Sequence, residues 1–310
     1  MKILVTGGAG FIGSHVADAY INQGHEVVII DNLSTGRKEF VNPKARFFEL
    51  DIRSDKAHRL ILEEKFDVIN HHAAQINVRK STDDPIFDAD VNILGTLNLL
   101  EAAKKTGVKR FIFASTGGAI YGEQDYFPAN EEHPTKPISP YGIGKLTVEK
   151  YLYYYNYVFG MSYVVLRYSN VYGPRQNPHG EAGVVAIFCE RMLTGEKAII
   201  NGDGKQTRDY VFVEDVVRAN VLALETDHVN EIYNIGTGKE TDVNTIFCKL
   251  RDMIDLRIEE FHGPAKPGEQ RRSVIDPAKA EKLLGWKPVY DLEEGLKATV
   301  EFFKSQHGRE

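Results

Sequence analysis

Residues 2–13 read KILVTGGAGFIG, an apolar run that passes directly into a cluster of glycines. The run 2–6 predicts a buried β-strand, and the residues that follow have the spacing of a helix. Glycines at 7, 10 and 13 fit G-x-x-G-x-x-G, and those at 8, 10 and 13 also fit G-x-G-x-x-G. The first glycine permits a tight turn, the next lets a pyrophosphate approach the backbone, and the last permits close helix–strand packing. The stretch therefore predicts a strand–turn–helix unit that binds a dinucleotide.

Apolar, β-branched runs recur along the chain, separated by segments with helical spacing. Six more candidate strands follow the first, at 26–30, 46–50, 67–71, 110–114, 163–168 and 231–235. Nearly continuous apolar runs are typical of parallel strands covered on both faces. Helical patterns at 12–22 and 91–105 are each followed by a glycine, which suits a helix end. We expect an α/β fold with a doubly wound, Rossmann-type parallel sheet.

The amino-acid composition changes after about residue 170. Gly, Pro and Asn cluster at 173–183, 201–206 and 262–269. Loops of this length in a compact protein are often functional. We expect a Rossmann domain and a smaller α/β lobe that closes over a ligand. The Rossmann domain is predicted to comprise 1–171 and about 209–235, and the substrate-binding lobe 172–208 and 236–310.

The composition excludes some classes of protein. The 310 residues include 38 basic and 44 acidic side chains, so the net charge of −6 gives no field for binding nucleic acid. No stretch approaches the roughly 18 apolar residues of a membrane helix. The N-terminal apolar run is too short and glycine-rich for a secretory signal. Nothing demands a disulfide between Cys189 and Cys248, and we expect a cytoplasmic enzyme.

Asp31 ends the second predicted strand, 18 residues after Gly13. A carboxylate at this place accepts hydrogen bonds from the adenosine ribose hydroxyls and repels a 2′-phosphate, which favours NAD over NADP. Arg37 and Lys38 lie close by in the sequence and leave NADP as an alternative. A structural βαβ turn with a capping aspartate is the alternative to a nucleotide site.

Two further strand ends supply candidate residues. Asp51 follows the third strand, where its carboxylate could bind an adenine amino group or simply end the strand. His71-His72-Ala73-Ala74 follows the fourth strand, and the small alanines suit backbone lying against a cofactor. Neighbouring side chains on a strand face opposite ways, and no other ligands stand at useful spacing, so the two histidines do not predict a metal site.

Ser139-Pro140-Tyr141 predicts a helix start, with Ser139 as N-cap and Pro140 in the first turn. Tyr141 and Lys145 are four residues apart and therefore share one helix face. A phenol has a pKa near 10, and a cation at about 4 Å supplies roughly the 4 kcal/mol that a base near pH 7 requires. We therefore expect Lys145 to lower the pKa of Tyr141. Such a pair also occurs by chance on surface helices, but here it follows a complete dinucleotide motif.

More motifs extend over nearly the whole chain. They are DNLSTG (31–36), NILGTLNLLEA (92–102), RYSNVYGPR (167–175) and RDYVFVEDV (208–216). Together with TGGAGFIG (6–13) and the Tyr141/Lys145 pair, they resemble the extended short-chain dehydrogenase/reductases, and among these the NAD-dependent epimerase/dehydratase family. Within that family the chain resembles the UDP-hexose 4-epimerases.

The resemblance implies a tightly bound NAD. It makes Tyr141 the catalytic base and Lys145 its electrostatic partner. Read position by position, the implied cofactor contacts are Gly7, Gly10, Phe11, Ile12, Gly13, Asp31, Asn32, Thr35, Gly36, Asp51, Ile52, Ala73, Ala74, Gln75, Asn92, Ser115, Tyr141, Lys145 and Tyr168.

A Ser or Thr after the fifth strand is implied as the hydrogen-bond partner of the reacting hydroxyl. The loop here is one residue longer than the commoner form, so Ser115 and Thr116 compete, and we choose Thr116. Related dehydratases and decarboxylases carry acidic residues just after that Thr, because eliminating water needs a further acid or base. Gly117 and Gly118 cannot supply one. The expected reaction is therefore reversible 4-epimerisation of a UDP-hexose through a 4-keto intermediate.

The resemblance also implies substrate contacts outside the cofactor site. Arg208 and Lys266 match cations that clamp the diphosphate, although lysine replaces the usual arginine at 266 and would lose a bidentate contact. Arg271 or Arg272 could compensate. Each of these cations could instead be an exposed surface charge. The full implied set is Thr116, Tyr141, Asn170, Arg208, Lys266 and Glu269.

Other outcomes stay open at this point. The resemblance implies a homodimer in which helices 92–105 and 141–158 pair. The small Ser273 falls where a bulky residue can exclude N-acetylated sugars, so a UDP-N-acetylhexosamine 4-epimerase is one alternative. A UDP-glucuronate 4-epimerase, a reductase of the same superfamily and a non-catalytic NAD-binding sensor are others. The intact Tyr141/Lys145 pair argues against the sensor.

Overall fold

The computed structural model describes residues 1–179, 183–266, 268 and 270–308. Seven strands form one parallel sheet in the order β11-β6-β5-β4-β1-β2-β3, which confirms the predicted doubly wound α/β fold. The strands along the described chain are β1 (Lys2–Thr6), β2 (Glu26–Asp31), β3 (Arg46–Glu49), β4 (Val68–His71), β5 (Arg110–Thr116), β6 (Ser162–Tyr168), β7 (Asn170–Tyr172), β8 (Ile199–Asn201), β9 (Thr207–Arg208), β10 (Tyr210–Phe212), β11 (Glu231–Ile235), β12 (Thr241–Asp242), β13 (Phe261–Gly263) and β14 (Arg272–Ser273).

Helices alternate with these strands. A 3-10 turn (Lys38–Phe40) and a π-helical turn (Asp90–Leu94) accompany them. The α-helices are α1 (Phe11–Asn22), α2 (Asp55–Glu64), α3 (Val78–Asp83), α4 (Pro85–Ala89), α5 (Gly95–Thr106), α6 (Gly117–Ile120), α7 (Pro140–Phe159), α8 (Val184–Thr194), α9 (Val213–Glu225), α10 (Val243–Ile254), α11 (Ala278–Leu284) and α12 (Leu292–His307).

The sheet is buried on both faces, as its apolar strands require. Successive side chains of β1 enter opposite cores, because Ile3 and Val5 pack with α1 and α9 while Leu4 packs with α2, α5 and α7. Trp286 lies fully buried in the first of these cores, and its indole nitrogen donates a 2.8 Å hydrogen bond to the carbonyl oxygen of Asp215.

Helix starts follow the local sequence closely. α7 begins at Pro140, and the Ser139 side chain accepts a hydrogen bond from the Gly142 amide, as the sequence predicted. The predicted helix at 91–105 is wrong at its start, because 90–94 form a π-helical turn and α5 begins only at Gly95. An added Cβ at Gly95 would lie 2.8 Å from the Ile52 side chain, so the helix passes close to the end of β3 there.

The second lobe has a core of its own, built chiefly from α8, α10 and α12. Its small sheets, β12-β9-β14 and β13-β8, lie beside that core. β11 pairs with β6 and so returns to the large sheet. No helix in the described part of the chain is long and apolar enough to cross a membrane.

Candidate active site

A cavity of about 420 Å³ lies at the carboxyl ends of β1, β2, β4 and β5. The strand order reverses between β1 and β4, and ligands of open α/β sheets bind at this switch point. Among the predicted cofactor residues, Gly36 and Asn92 do not line the cavity. Those that line it are Gly7, Gly10, Phe11, Ile12, Gly13, Asp31, Asn32, Thr35, Asp51, Ile52, Ala73, Ala74, Gln75, Ser115, Tyr141, Lys145 and Tyr168.

The glycine turn forms a cradle that larger residues would fill. Gly7 has φ 69°, and an added Cβ there would lie 2.7 Å from the backbone nitrogen of Ala73. At Gly13 an added Cβ would overlap the carbonyl oxygen of Gly7. The N-cap of α1 is Gly10, which has no side chain to cap the helix, so the amides of 11–13 have no acceptor within the described chain. These oriented amides fit the diphosphate of a dinucleotide.

Asp31 lies buried at the end of β2. Its carboxylate accepts hydrogen bonds from the amides of Ala9 (3.0 Å) and Leu33 (2.8 Å), which hold it at the cavity wall. Burial raises its pKa despite these two bonds. Gly36 does not line the cavity, but an added Cβ there would lie 2.9 Å from both carboxylate oxygens of Asp31. Arg37 does not line the cavity, and its guanidinium pairs with Glu39.

Asp51 lines the cavity with its carboxylate already engaged. The oxygens accept hydrogen bonds from Arg53 (2.9 and 2.7 Å) and from Asn32 (3.1 Å), and Arg53 lowers the pKa of Asp51 to about 2. An adenine amino group would have to displace one of these donors. Arg53 also pairs with Asp90 at 2.6 Å and lines the cavity, a position that the sequence did not single out.

The two histidines after β4 have different surroundings. His71 is buried between the hydroxyls of Thr6 (2.6 Å) and Thr96 (2.9 Å), and burial lowers its pKa well below the ordinary value. His72 lines the cavity and stacks on Tyr168, with ring centres 6.4 Å apart. Burial lowers the pKa of His72 to about 3. Within the described chain, no three metal-binding side chains lie together.

The π-helical turn shapes the wall beside Gln75. Asn92 accepts a 2.9 Å hydrogen bond from the Gln75 amide and donates one of 3.0 Å to its carbonyl oxygen. Asn92 therefore supports the cavity wall from behind. Asp88, which the sequence did not indicate, is buried and accepts from Gln75 Nε2 (2.8 Å) and Asn92 Nδ2 (3.0 Å). Its other oxygen would lie 3.4 Å from a Cβ added to Gly144, between Tyr141 and Lys145.

The Tyr141/Lys145 pair lies on the face of α7 that lines the cavity. Lys145 Nζ donates a 2.9 Å hydrogen bond to the Ala114 carbonyl oxygen and lies 5.9 Å from the centre of the Tyr141 ring. Burial lowers the pKa of Lys145 to about 8, against the opposing effects of Asp88 and Glu149. The expectation that Lys145 lowers the pKa of Tyr141 is wrong for the protein alone, because burial and then Asp88 raise that pKa.

The end of β5 separates its two hydroxyl side chains. Ser115 lines the cavity, but its hydroxyl donates a 2.7 Å hydrogen bond to Glu149. Glu149 is buried and paired with Arg167 at 2.6 Å, so Ser115 belongs to a buried polar network. Thr116 caps α6 by accepting from the Ala119 amide, and its Oγ1 lies 3.9 Å from a Cβ added to Gly118.

Among the described residues, the predicted substrate contacts other than Tyr141 lie outside the lining of this cavity. Asn170 Oδ1 faces Gly118, 3.9 Å from a Cβ added there, and so shares that space with Thr116. Arg208 is half-buried on β9, and its Nη1 donates to the carbonyl oxygen of Thr207 at 2.8 Å. Lys266 is exposed, and Glu269 lies outside the described residues.

The two arginines expected to support Lys266 already have partners. Arg271 makes a bidentate pair with Asp203 (2.8 and 2.9 Å), and Arg272 makes one with Glu240 (2.9 and 2.8 Å). Either would have to exchange a carboxylate for a diphosphate. Compensation at 266 therefore stays a prediction.

This chain has a Tyr/Lys pair on a helix beside the nucleotide-binding edge of a Rossmann sheet. That arrangement defines the short-chain dehydrogenase/reductase class. At a finer level, residues 3–236 match the model of the NAD dependent epimerase/dehydratase family, and the chain belongs to that family.

Relatives cover the chain from end to end. A UDP-glucose 4-epimerase of Mycolicibacterium smegmatis is 45% identical over 312 residues, with 99% of each chain covered. The crystal structure of UDP-glucose 4-epimerase with UDP-glucose from Thermotoga maritima is 51% identical, with a TM-score of 0.97 over 99% of this chain and 100% of that one. The Thermus thermophilus UDP-glucose 4-epimerase complex with NAD is 43% identical, with a TM-score of 0.93 over 98% and 99% of the two chains.

Proposed function

We propose that this chain is an NAD-dependent UDP-glucose 4-epimerase that interconverts UDP-glucose and UDP-galactose. Full-length similarity to enzymes of that name, at 45% and 51% identity, supports the activity and the nucleotide sugar. NAD is the cofactor of the family, and the glycine cradle with the uncapped start of α1 suits it.

The two glycines after Thr116 support epimerisation rather than elimination of water. An added Cβ at Gly117 would lie 2.8 Å from the Ile275 side chain, so no acidic residue fits there without repacking. Gly118 faces the space between Thr116 and Asn170 and places no acid in it. Elimination of water next to the keto group would need such an acid. Epimerisation needs none.

The residues of the chain divide the work of epimerisation. Tyr141 takes the proton of the C4 hydroxyl and later returns it, while Thr116 donates a hydrogen bond to the C4 oxygen. Lys145 places a cation near the phenol and can hold the nicotinamide ribose. When bound beside these residues, NAD would supply the hydride acceptor for C4 and the hydride donor for the opposite face of the keto sugar. Arg208, Asn170 and Lys266 bind the diphosphate, and Glu269 the uridine ribose.

One assay separates this proposal from its alternatives. The purified protein is given UDP-galactose without added cofactor, and products are resolved by chromatography. UDP-glucose at a constant ratio supports the epimerase. Product that forms only while NADH is consumed indicates a reductase, and no turnover with any UDP-hexose favours the NAD-binding sensor.

UDP-N-acetylhexosamine is the second candidate substrate. Ser273 is 3% exposed and its backbone pairs with Arg208, which places a small side chain next to a predicted diphosphate contact. Parallel assays with UDP-galactose and UDP-N-acetylgalactosamine test this range. Equal kcat/KM for the two would make the enzyme bifunctional, and loss of activity with the second would exclude it.

We also propose a homodimer formed by α5 and α7. Exposed apolar side chains run along α7, with Ile143 50%, Tyr154 47% and Val158 49% exposed, and Leu94, 57% exposed, lies in the π-helical turn just before α5. Pairing of two copies would bury this surface. Light scattering after gel filtration tests the state, and a monomer that keeps its activity would exclude a required dimer. Both cysteines are free thiols, which favours the cytoplasm as compartment.

A further inference from the structure

Arg175 ends the 167–175 motif, and the proposed reaction gives it no role. It stands in the turn after β7, where the chain leaves the Rossmann domain for the second lobe. Its φ of 67° is a left-handed conformation that residues with side chains disfavour. The turn is fixed to α1, because His15 Nε2 donates a 2.9 Å hydrogen bond to the carbonyl oxygen of Pro174.

The side chain of Arg175 reaches back onto the Rossmann domain. Its Nη1 lies 2.8 Å from Oδ2 of Asp18 on α1, and its guanidinium lies 5.7 Å from the centre of the Phe40 ring. Nη1 makes no hydrogen bond within the described chain, so its contact with Asp18 is an ion pair. Phe40 belongs to the connection between β2 and β3, residues 32–45, which we call the β2–β3 segment.

Asp18 also contacts the β2–β3 segment directly. Its Oδ1 accepts a 2.7 Å hydrogen bond from Asn42 Nδ2, two residues after Phe40. One oxygen of Asp18 therefore meets Arg175, and the other meets the β2–β3 segment. The turn into the second lobe, helix α1 and this segment come together in one cluster.

The β2–β3 segment forms a wall of the cofactor cavity. Asn32 and Thr35 line the cavity at its start. The Arg37 amide then donates a 2.9 Å hydrogen bond to the Ala9 carbonyl oxygen, which closes the segment over the glycine turn. Further along, Phe40 and Asn42 receive the contacts of Arg175 and Asp18 on the outer side. Movement of Arg175 would release this outer support.

We propose that Arg175 is a positioning residue for the cofactor. From the turn into the second lobe, it holds the β2–β3 segment closed over the adenosine side of NAD, acting through Phe40 and Asp18. An epimerase reuses one NAD in every turnover, so slow release of the cofactor benefits it. The inference rests on the proposed function only for the use of NAD, and not for the identity of the sugar.

The test measures release of NAD from the purified holoenzyme in the absence of sugar. Bound NAD is chased with an excess of its fluorescent ethenoadenine analogue, and the exchange rate is recorded. R175G is the main variant, because glycine adopts φ 67° freely and the side chain is removed without added strain. We expect about tenfold faster release, the effect of losing one ion pair and one stacking contact. R175K should fall between, since it keeps the charge but not the planar group.

R37A is the matched control. The Arg37 guanidinium lies 5.2 Å from the same Phe40 ring, but its partner Glu39 is in the β2–β3 segment, so it joins nothing to the second lobe. We expect the rate of NAD release from R37A to stay within about twofold of the wild-type rate. Release from D18N should be faster than from wild type, as it is in R175G. Thermal unfolding with saturating NAD verifies that each variant folds.

Two outcomes overturn the proposal. One is release from R175G at the wild-type rate, and the other is equal acceleration in R37A and R175G. A separate readout is dilution: R175G should lose epimerase activity when diluted and regain it with added NAD, while wild type needs no addition. Because the exchange is measured without sugar, failure of this proposal and failure of the epimerase assay are distinct results.

Discussion

The Ser115 hydroxyl donates a 2.7 Å hydrogen bond to Oε1 of Glu149, which binds it into the buried Glu149–Arg167 pair. The Ser115 hydroxyl hydrogen is therefore already used in this bond. The Thr116 hydroxyl accepts a hydrogen bond at the start of α6, so its own hydrogen can be donated to a substrate. We expect Thr116→Val to lower kcat by about a hundredfold or more, because the reacting oxygen loses a donor. Thr116→Ser keeps the hydroxyl and should stay close to wild type.

Ser115→Ala provides the comparison. It leaves the reacting oxygen its donor but removes one hydrogen bond from buried Glu149, so we expect about 1–2 kcal/mol lower free energy of unfolding with kcat largely kept. Urea unfolding and steady-state kinetics measure the two effects. A larger loss of kcat in Ser115→Ala than in Thr116→Val would assign the role to Ser115 instead.

Tyr141→Phe should abolish turnover and leave NAD bound. The phenol lines the cavity, while the backbone of Tyr141 is fixed separately by a 3.2 Å hydrogen bond from its amide to Ser81, so the ring keeps its place. We expect kcat to fall at least about a thousandfold. Absorbance of the purified protein measures NAD content. Tyr153→Phe, on an exposed part of the same helix, is the control, and turnover retained by Tyr141→Phe would exclude the proposed base.

Asp88→Asn should shift the pH dependence of catalysis to lower pH. Asparagine can still accept from Gln75 and Asn92, so the substitution removes little but the charge. The Asp88 carboxylate raises the pKa of Lys145, which is about 8, and of Tyr141. Without it both values fall. Lys145 then loses its proton earlier, and the alkaline limb of kcat/KM should move down by about one pH unit.

Rates measured between pH 5.5 and 10 test this shift. Glu149 faces Lys145 from its own helix and remains as a carboxylate in the variant, and His71 and His72 face Lys145 as neutral groups with lowered pKa values. Asp83→Asn, on an exposed position of α3, should leave the profile unchanged. An alkaline limb that stays in place or moves upward in Asp88→Asn would contradict the role of its charge.

His72 should make the protein less stable at acid pH. Its pKa of about 3 in the folded protein lies below the 6.5 expected on unfolding. The unfolded chain therefore binds the proton first, and stability is lost as pH falls below about 6.5. For one such group the loss between pH 7 and pH 5 is about 2 kcal/mol.

Urea unfolding of cofactor-free protein at both pH values measures this loss. His72→Gln should reduce the difference between the two pH values by that amount, and exposed His179→Gln should not. An unchanged difference in His72→Gln would show that this imidazole does not resist protonation in the folded state.

The sheet could be predicted from the sequence because each buried parallel strand is a local apolar run. The glycine turn and Tyr141/Lys145 were also visible, since turn chemistry and helical spacing are local. The π-helical turn was not, because one extra residue in a turn leaves the apolar spacing of 91–105 nearly unchanged. Asp88 was missed for a related reason: an aspartate in a helical segment is usually exposed, and only the packing of α4 on α7 buries it.

The raised pKa of Tyr141 could not be predicted from the sequence for another reason. The spacing in Tyr-x-x-x-Lys places a cation near the phenol, but the effect of burial depends on all the elements packed around it. Here burial raises the pKa of Tyr141 in the protein alone, and the Lys145 ammonium donates to the Ala114 carbonyl oxygen. The same holds for Arg271 and Arg272, whose carboxylate partners come from distant loops.

Asp31→Asn should weaken the preference for NAD over NADP. The carboxylate is held at the cavity wall by the amides of Ala9 and Leu33, and it would repel a 2′-phosphate at close range. Asparagine can still accept from one amide but carries no charge, so we expect about tenfold weaker NAD binding and tighter NADP binding. Calorimetric titration of cofactor-free protein with both dinucleotides gives the ratio. Glu63→Gln removes an exposed carboxylate from α2 and should leave the ratio unchanged. Equal shifts in the two variants would mean that general charge, and not the position of Asp31, selects the cofactor.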